Sequence, residues 1–531
     1  MFDLIISGAE IIDGTGAPAF KADVAVTGEY IQEVGNLENN PAKERLDASG
    51  YVLTPGFIDV HSHGDVSILV NPQAESKIHQ GITTKIIGNC GFSLFPLKGE
   101  SLDEARRDMA PYEMTPEWDS AEGYFNKLEE IEPAINVACF VGHGTLRGAV
   151  MGEKDLPPDA EQMKEMKRLL EESMNAGAMG LSTGLIYAPS FFAGKEELTE
   201  LSRVVSALNG FYASHIRGES DTLLEAVDEA LAIGKDADCG VQVSHLKASA
   251  PRNWGKVKTA IEMIEKADSM GMDVAFDKYP YTAGSTGLSS YLPRWAIGQG
   301  VDQLVEFLQD PDTRKKIFRE SDESNDGEKK WDSVMIIFAG CDEYRSHEGK
   351  SLQQIAEDTG NSIEDVFCDI LIFSRANADI VCFTQSQDDT DLVLEHPMGL
   401  VCTDSGVWAP YGPLSRIKPH PRAYGSFPRF LKRYVKDKKA LTREEAVHKI
   451  TKQSAERFRI ARRGVVSSGY YADLVLLDWE ALEDKASYTD PHRYPVGVEG
   501  VVVNGVVSIQ NGKNREKRNG KVLRFNGERT E

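Results

Sequence analysis

The sequence predicts an α/β protein: a (β/α)8 barrel of the TIM type, beside a small β-sandwich domain built from both ends of the chain. Three observations carry this. The middle of the chain alternates short apolar strands with amphipathic helices, the pattern of parallel strands joined by crossover helices. Several of those strands end in histidine, cysteine or aspartate, and strand C-termini share one mouth of a barrel. Both ends of the chain read as short strands and tight turns without helical periodicity.

The bulk properties set limits. The chain has 531 residues, with 59 basic against 83 acidic side chains and a formal net charge of −24. That length suits a decorated barrel. The charge argues against nucleic acid or an anionic membrane as partner, and it requires any anionic small-molecule substrate to meet locally placed cations. Seven cysteines are scattered without framework spacing, which points to a reduced, cytoplasmic setting. The start, Met1-Phe-Asp-Leu-Ile-Ile-Ser-Gly8, lacks the basic region and cleavage site of a signal peptide. No apolar run approaches bilayer length.

Residues 1–54 carry strand-like runs such as Leu4-Ile-Ile-Ser7, Asp23-Val-Ala-Val26 and Tyr51-Val-Leu53. Residues 461–531 resemble them, with Asp473 to Asp478 and the pair Val498 to Val503 and Val506 to Gln510 around the hairpin dipeptide Asn504-Gly505. Neither end holds enough apolar residues for its own core, so the two are expected to pair into one β-domain. The polar tail from about Gly512 reads as loosely held.

Residues 55–460 form the barrel part. Its first strand is Phe57-Ile-Asp-Val60, after the turn residues Pro55-Gly56. Strand-like runs follow at Thr83 to Gly91, Asn136 to Gly142 and Met179 to Gly184. Helix 159–175 has Asp159 as its cap, Gln162 at capping-box spacing and Gly177 beyond its end. Three repeats succeed it: helix 196–208 before strand 211–215, helix 222–233 (ended by Gly234) before strand 241–245, and helix 257–270 before strand 272–277. The rhythm then breaks. An irregular insertion, about 284–344, carries an acidic stretch at 321–330 and is placed to act as a lid. Barrel order is expected to resume with Ile380-Val-Cys-Phe383 and Gly399 to Asp404, and helix 443–454 closes the barrel.

The strand ends hold the chemistry. His61 and His63, two apart on a strand, point to one face. Cys90, His215, His245 and Asp404 end four further apolar runs. Imidazole, thiolate and carboxylate suit zinc or a similar divalent ion, so these six residues are the expected metal ligands. Cys90 has three readings: a buried small hydrophobe, a nucleophile partnered by histidine, or a thiolate on metal. Its place between Gly88 and Gly91, in line with the histidines, favours the metal. Asp404 can be ligand, proton carrier or both. His143 follows a strand too, but a satisfied structural histidine is the simpler reading. A second set suits a carboxylate: Lys247 on the same face as His245, Tyr279 and Ser285 beyond a strand end, and Arg422 in the loop after Asp404.

The motifs resemble the amidohydrolase superfamily and, within it, the N-acyl-D-amino-acid deacylases, or D-aminoacylases, over nearly the whole chain. They are Pro55 to His63 (Pro-Gly-Phe-Ile-Asp-Val-His-Ser-His), Gly88-Asn-Cys-Gly91, Ser214-His-Ile-Arg-Gly-Glu219, Ser244-His-Leu-Lys247, Tyr279 to Thr286, Thr403-Asp-Ser405 and His420-Pro-Arg422. The His-x-His opening is shared across the superfamily; cysteine in place of a carboxylated lysine marks the deacylase branch. The resemblance implies an insertion after the seventh barrel strand and hydrolysis of N-acyl-D-amino acids to a carboxylate and a free D-amino acid. It implies that Cys90, His215 and His245 hold a tight Zn2+, and that His61 and His63 with shared ligands make a weaker second site. Asp404 is then the acid/base, and Lys247, Tyr279, Ser285 and Arg422 bind the substrate α-carboxylate. The chain departs from the family in a longer segment between Asp404 and Arg422. Three rivals share some of these features: a cyclic-amide hydrolase of the dihydroorotase or hydantoinase kind, a thiol hydrolase using Cys90, and a metal-free scaffold.

Overall fold

The computed structural model describes residues 1–298, 300–324 and 331–528. Eight parallel staves can be followed through the barrel among these residues. They are Phe57–Asp59, Ile82–Ile87, Asn136–Cys139 continued by Val141–Gly142, Gly180–Gly184, Phe211–His215, Gly240–Val243, Val274–Lys278 and Gly399–Val401. The first three pair in one sheet and the rest in another, and the break at Phe140 in the third stave divides the two sheets. Beyond the strand ends, Asp404 N donates to the His61 carbonyl (2.9 Å) and His63 N to that of Ser405 (3.1 Å). The first and last staves are thus stitched together at the mouth, where the candidate ligands lie.

Side chains alternate across the staves as a two-residue period demands. Phe57, Val137, Tyr212 and Val401 face the helical layer and join the large core there. Ile58, Ala138, Ala213 and Leu400 face the other way into a second core. The staves are therefore buried on both faces, as parallel strands under helices must be. Helix Ala160–Asn175 has its capping box between Asp159 and Gln162, and it buries Met166, Leu170, Ser173 and Met174 on one stripe.

Both ends of the chain enter one nine-stranded sheet. Val52–Pro55 pairs antiparallel with Leu474–Leu477, joining the N-terminal strands to the C-terminal ones. Asn504 (φ 45°) and Gly505 (φ 80°) turn the terminal hairpin through left-handed backbone, as the Asn-Gly dipeptide predicts.

Four expectations are corrected. Strand Asp379–Cys382, expected in the barrel, pairs antiparallel with Gly284–Gly287 and Val334–Phe338 in a separate sheet. The insertion thus extends to Cys382 and has its own core around Leu288, Trp331, Ile336, Phe367 and Ile380. A four-residue apolar run carries no mark of which sheet it joins. Part of the acidic stretch, residues 325–330, lies outside the described residues. Helix Leu223–Ala237 runs through Gly234 instead of ending there. A Cβ on Gly234 would come within 2.1 Å of Val241 Cγ2, so this glycine lets helix and strand approach and is not a cap. The helix expected over 443–454 is two, Arg443–Ile450 and Lys452–Arg457, broken at Thr451. The polar tail is tied down as well: Val137 N donates to the Lys521 carbonyl, Leu523 N to that of Val137, and Phe525 N to that of Gly177. Among the described residues, no helix is long and apolar enough to cross a membrane.

Candidate metal centre

Four of the expected ligands converge: one donor atom from each of His61, Cys90, His245 and Asp404 lies within 4.8 Å of the others. Cys90 Sγ is 3.4 Å from Nε2 of both His61 and His245. His63 sits at the edge, its Nε2 3.0 Å from Asp404 Oδ1, with a third of its side chain exposed. His215 forms a second group with His245 and Glu219. The strand-end residues therefore do meet in space, although they span more than 340 positions in sequence.

Three of these residues adopt backbone that side chains rarely take. Cys90 (φ 52°), His245 (φ 35°) and Asp404 (φ 46°) are left-handed. Such strain persists only where the surroundings fix it. His245 N is held by Asp277 Oδ1 (2.8 Å). Asp404 N is held by the His61 carbonyl. Cys90 sits between Gly88 and Gly91, and Gly91 N donates to Ser182 Oγ (3.1 Å).

The donor set fits a zinc-like ion. Both ring nitrogens of His215 are buried without a hydrogen-bond partner, and so is Nδ1 of His61. Buried polar atoms are rarely left so: a cation bound to one nitrogen of His215 would satisfy that atom, whereas His61 Nδ1 turns to Asp277, 3.4 Å away. Burial pushes the Cys90 thiol up, but the His61 and His245 imidazoles more than offset this and hold it well below its ordinary value. Thiolate and imidazole together favour zinc over magnesium or calcium. Burial raises the Asp404 carboxyl, yet the Arg422 guanidinium and the neighbouring imidazoles hold it well below the carboxylate range. Burial lowers the His63 ring, and its bond to Asp404 lifts it to about 9.

The carboxylate-binding set surrounds this cluster. Arg422 Nη1 is 2.6 Å from Asp404 Oδ2, so the longer segment between them still returns the arginine to the site. Its guanidinium lies over the Tyr279 ring, 4.4 Å from the centroid, and the Tyr279 hydroxyl accepts from Gln385 Nε2 (2.8 Å). Lys247 Nζ is 2.5 Å from Glu219 Oε1. Ser285 lies on the first strand of the insertion. Lys247, Tyr279, Ser285 and Arg422 line one cleft of about 1030 Å³ together with His63, Cys90, His215, His245 and Asp404.

Two carboxylates escape a reading of the sequence. Asp277 Oδ1 lies 3.4 Å from His61 Nδ1, and Glu219 Oε1 lies 3.0 Å from His245 Nδ1. Asp277 lies one residue before the end of strand Val274–Lys278 and could have been found by nearly the same rule as the ligands. Glu219 sits in a loop, and its only signal was its place in the motif that begins at Ser214. His143 lies outside the cluster, bonded to Ser190 Oγ (2.9 Å) and Glu197 Oε1 (3.0 Å).

Known proteins match this chain along nearly its whole length. The N-acyl-D-glutamate deacylase of Alcaligenes xylosoxydans xylosoxydans is 36% identical over 95% of this chain and 93% of its own length. A crystal structure of N-acyl-D-glutamate deacylase from Bordetella bronchiseptica, complexed with zinc and a phosphonate inhibitor, superposes with a TM-score of 0.83. It has 34% identity and covers 98% of this chain and 99% of that one. A D-aminoacylase structure solved to study the role of its binuclear metal centre has a TM-score of 0.81 at 33% identity, over 98% of this chain and all of that one. The sequence pattern of the amidohydrolase family matches residues 44–329 and 412–509. Fold, strand-end donors and these full-length likenesses agree: the chain belongs to the amidohydrolase family.

Proposed function

We propose that this protein is a zinc-dependent deacylase that hydrolyses the amide of N-acyl-D-amino acids, giving a carboxylate and a free D-amino acid. The observation that carries this is Cys90 Sγ set 3.4 Å from Nε2 of two histidines at the barrel mouth, beside a carboxylate paired to an arginine. Cys90, His215 and His245 would hold the tight metal. His61 and His63 with shared ligands would form the weaker second site. Zinc, when bound, lowers the pKa of water and polarises the scissile carbonyl.

The remaining roles belong to the chain itself. Asp404, kept as a carboxylate by Arg422, takes the proton of the attacking water and delivers it to the leaving nitrogen. Arg422, Lys247, Tyr279 and Ser285 hold the substrate α-carboxylate, with Arg422 also steering Asp404. The burial of Cys90, His245 and Asp404 excludes bulk water and strengthens each of these contacts. The D-preference rests on the similar deacylases; a cysteine at the central ligand position sets the site apart from a cyclic-amide hydrolase. Free cysteines throughout the described residues and the strongly acidic charge support a cytoplasmic enzyme without nucleic-acid or membrane partners.

The test is metal analysis together with a substrate panel of N-acetyl-D- and N-acetyl-L-amino acids, dihydroorotate and hydantoins. Stoichiometric zinc with release of D-amino acids is the expected result. Ring opening alone moves the protein to cyclic amides. Activity that survives zinc removal but not thiol alkylation makes Cys90 a nucleophile and overturns the mechanism.

A further inference from the structure

The motif Ser214-His-Ile-Arg-Gly-Glu219 is only partly used by the mechanism above. His215 is a ligand. Arg217 is spent within the fold: it pairs with Glu229 (2.9 Å) and donates to the Phe191 and Ala193 carbonyls. Glu219 is left, and its position is unusual. Its Oε1 is within hydrogen-bond reach of two side chains, Lys247 Nζ at 2.5 Å and His245 Nδ1 at 3.0 Å, with His215 Nε2 just beyond that reach at 3.6 Å. Lys247 Nζ is in turn 2.8 Å from the same His245 Nδ1.

These three contacts cannot all be hydrogen bonds together. An ammonium only donates, so Lys247 can meet Nδ1 only when that nitrogen is bare. A carboxylate only accepts, so Glu219 can meet Nδ1 only when it carries hydrogen. The other ring nitrogen decides between them. His245 Nε2 is the one that faces Cys90. A neutral imidazole that gives Nε2 to a metal carries its hydrogen on Nδ1, and that hydrogen points to Glu219.

We propose that Glu219 is a positioning residue of the tight metal site: it accepts the Nδ1 hydrogen of His245, aims Nε2 at the metal, and tethers Lys247 beside the cleft. This rests on the proposed role of His245 as a zinc ligand. With Nδ1 bonded to Glu219, Lys247 gives up the imidazole and keeps the carboxylate. Glu219 and the His245 carbonyl (3.2 Å) then take two of its three donors, and one is left on a side chain that lines the cleft. Lys247, released from Nδ1 in this way, would be left ready for the substrate carboxylate. Carboxylates behind ligating histidines commonly fix ring orientation in this way.

The test compares Glu219→Gln with Lys247→Met in the zinc-loaded protein. Zinc affinity is read by competition with a chromophoric chelator, and folding by thermal unfolding of the metal-free forms. Glu219→Gln is expected to weaken the tight site about 10- to 100-fold while the metal-free protein melts as wild type does. Lys247→Met is expected to hold zinc at least as tightly as wild type, because the competing donor is gone, and to raise KM for free-carboxylate substrates. Wild-type zinc affinity in Glu219→Gln overturns the proposal, as does equal loss of zinc in both variants. If the wild-type protein binds no zinc, the metal-site reading fails instead; the affinity measurement needs no assumption about the acyl substrate.

Discussion

Asp404 and Glu219 are two carboxylates of one site, each paired with a single cation, and they meet opposite ring nitrogens of His61 and His245. Asp404 holds Arg422 (2.6 Å) and lies against Nε2 of His63 (3.0 Å) and His61 (3.4 Å). Glu219 holds Lys247 (2.5 Å) and lies against Nδ1 of His245 (3.0 Å). For His61 and His245, Nε2 is the nitrogen turned to Cys90. On the proposed reading, Asp404 would look at the place where the reaction occurs and Glu219 at the back of His245, with His215 Nε2 farther off at 3.6 Å. Residue type and burial are nearly alike in the two; the ring atom each meets separates chemistry from orientation.

That contrast can be pushed from both sides. The largest effect is expected of Asp404→Asn, which should lower kcat about 10²- to 10⁴-fold with the tight zinc retained. Steady-state kinetics with metal analysis checks this, and a zinc-free Asp404→Asn protein would erase the distinction from Glu219. Cys90→Ser should empty the tight site and abolish activity under the zinc concentrations that saturate wild type; full occupancy there would move the metal away from the thiolate. Arg422→Met should raise KM for N-acyl-D-amino acids about 10- to 100-fold, the scale of a lost charge-assisted contact, and much less for the corresponding α-amides. Equal shifts for acids and amides would take Arg422 away from the substrate carboxylate. The smallest effect is expected of Asp277→Asn. Asp277 backs His61 as Glu219 backs His245, so its loss should weaken the second metal about tenfold and leave kcat nearly unchanged, as metal titration of the one-zinc enzyme would show.

The strand-end ligands were legible because parallel strands are short and apolar, so the polar residue that ends each one stands out. His215 ends its strand, and His61, Cys90, His245 and Asp404 come two or three residues after theirs. Glu219 did not stand out, because a loop carboxylate four residues after a ligand has no periodic signature, and sequence does not say which imidazole nitrogen it will meet. Strand Asp379–Cys382 was misplaced for the converse reason: its apolar run is like those of the barrel, and only its partners place it in the insertion. The tail was hidden by its polarity. It is fastened by main-chain hydrogen bonds, which any side chain allows. Gly234 has the sequence signature of a helix stop, whereas its role is the close approach of Val241.

The fastening of that tail has a consequence for how the chain reaches its native state. Backbone groups of Val137 and Gly177, at the bottom of the barrel, find their partners in Lys521, Leu523 and Phe525, and strand Val52–Pro55 finds its partner in Leu474–Leu477. A ribosome releases these late residues only after all eight staves have emerged. The nascent barrel must therefore wait with an unfilled gap beside its third stave and an open edge on its N-terminal sheet. Contacts spanning hundreds of residues are slow to form, and open edges invite wrong partners. The time between synthesis of residue 142 and residue 525 is the interval in which this protein is most exposed to aggregation.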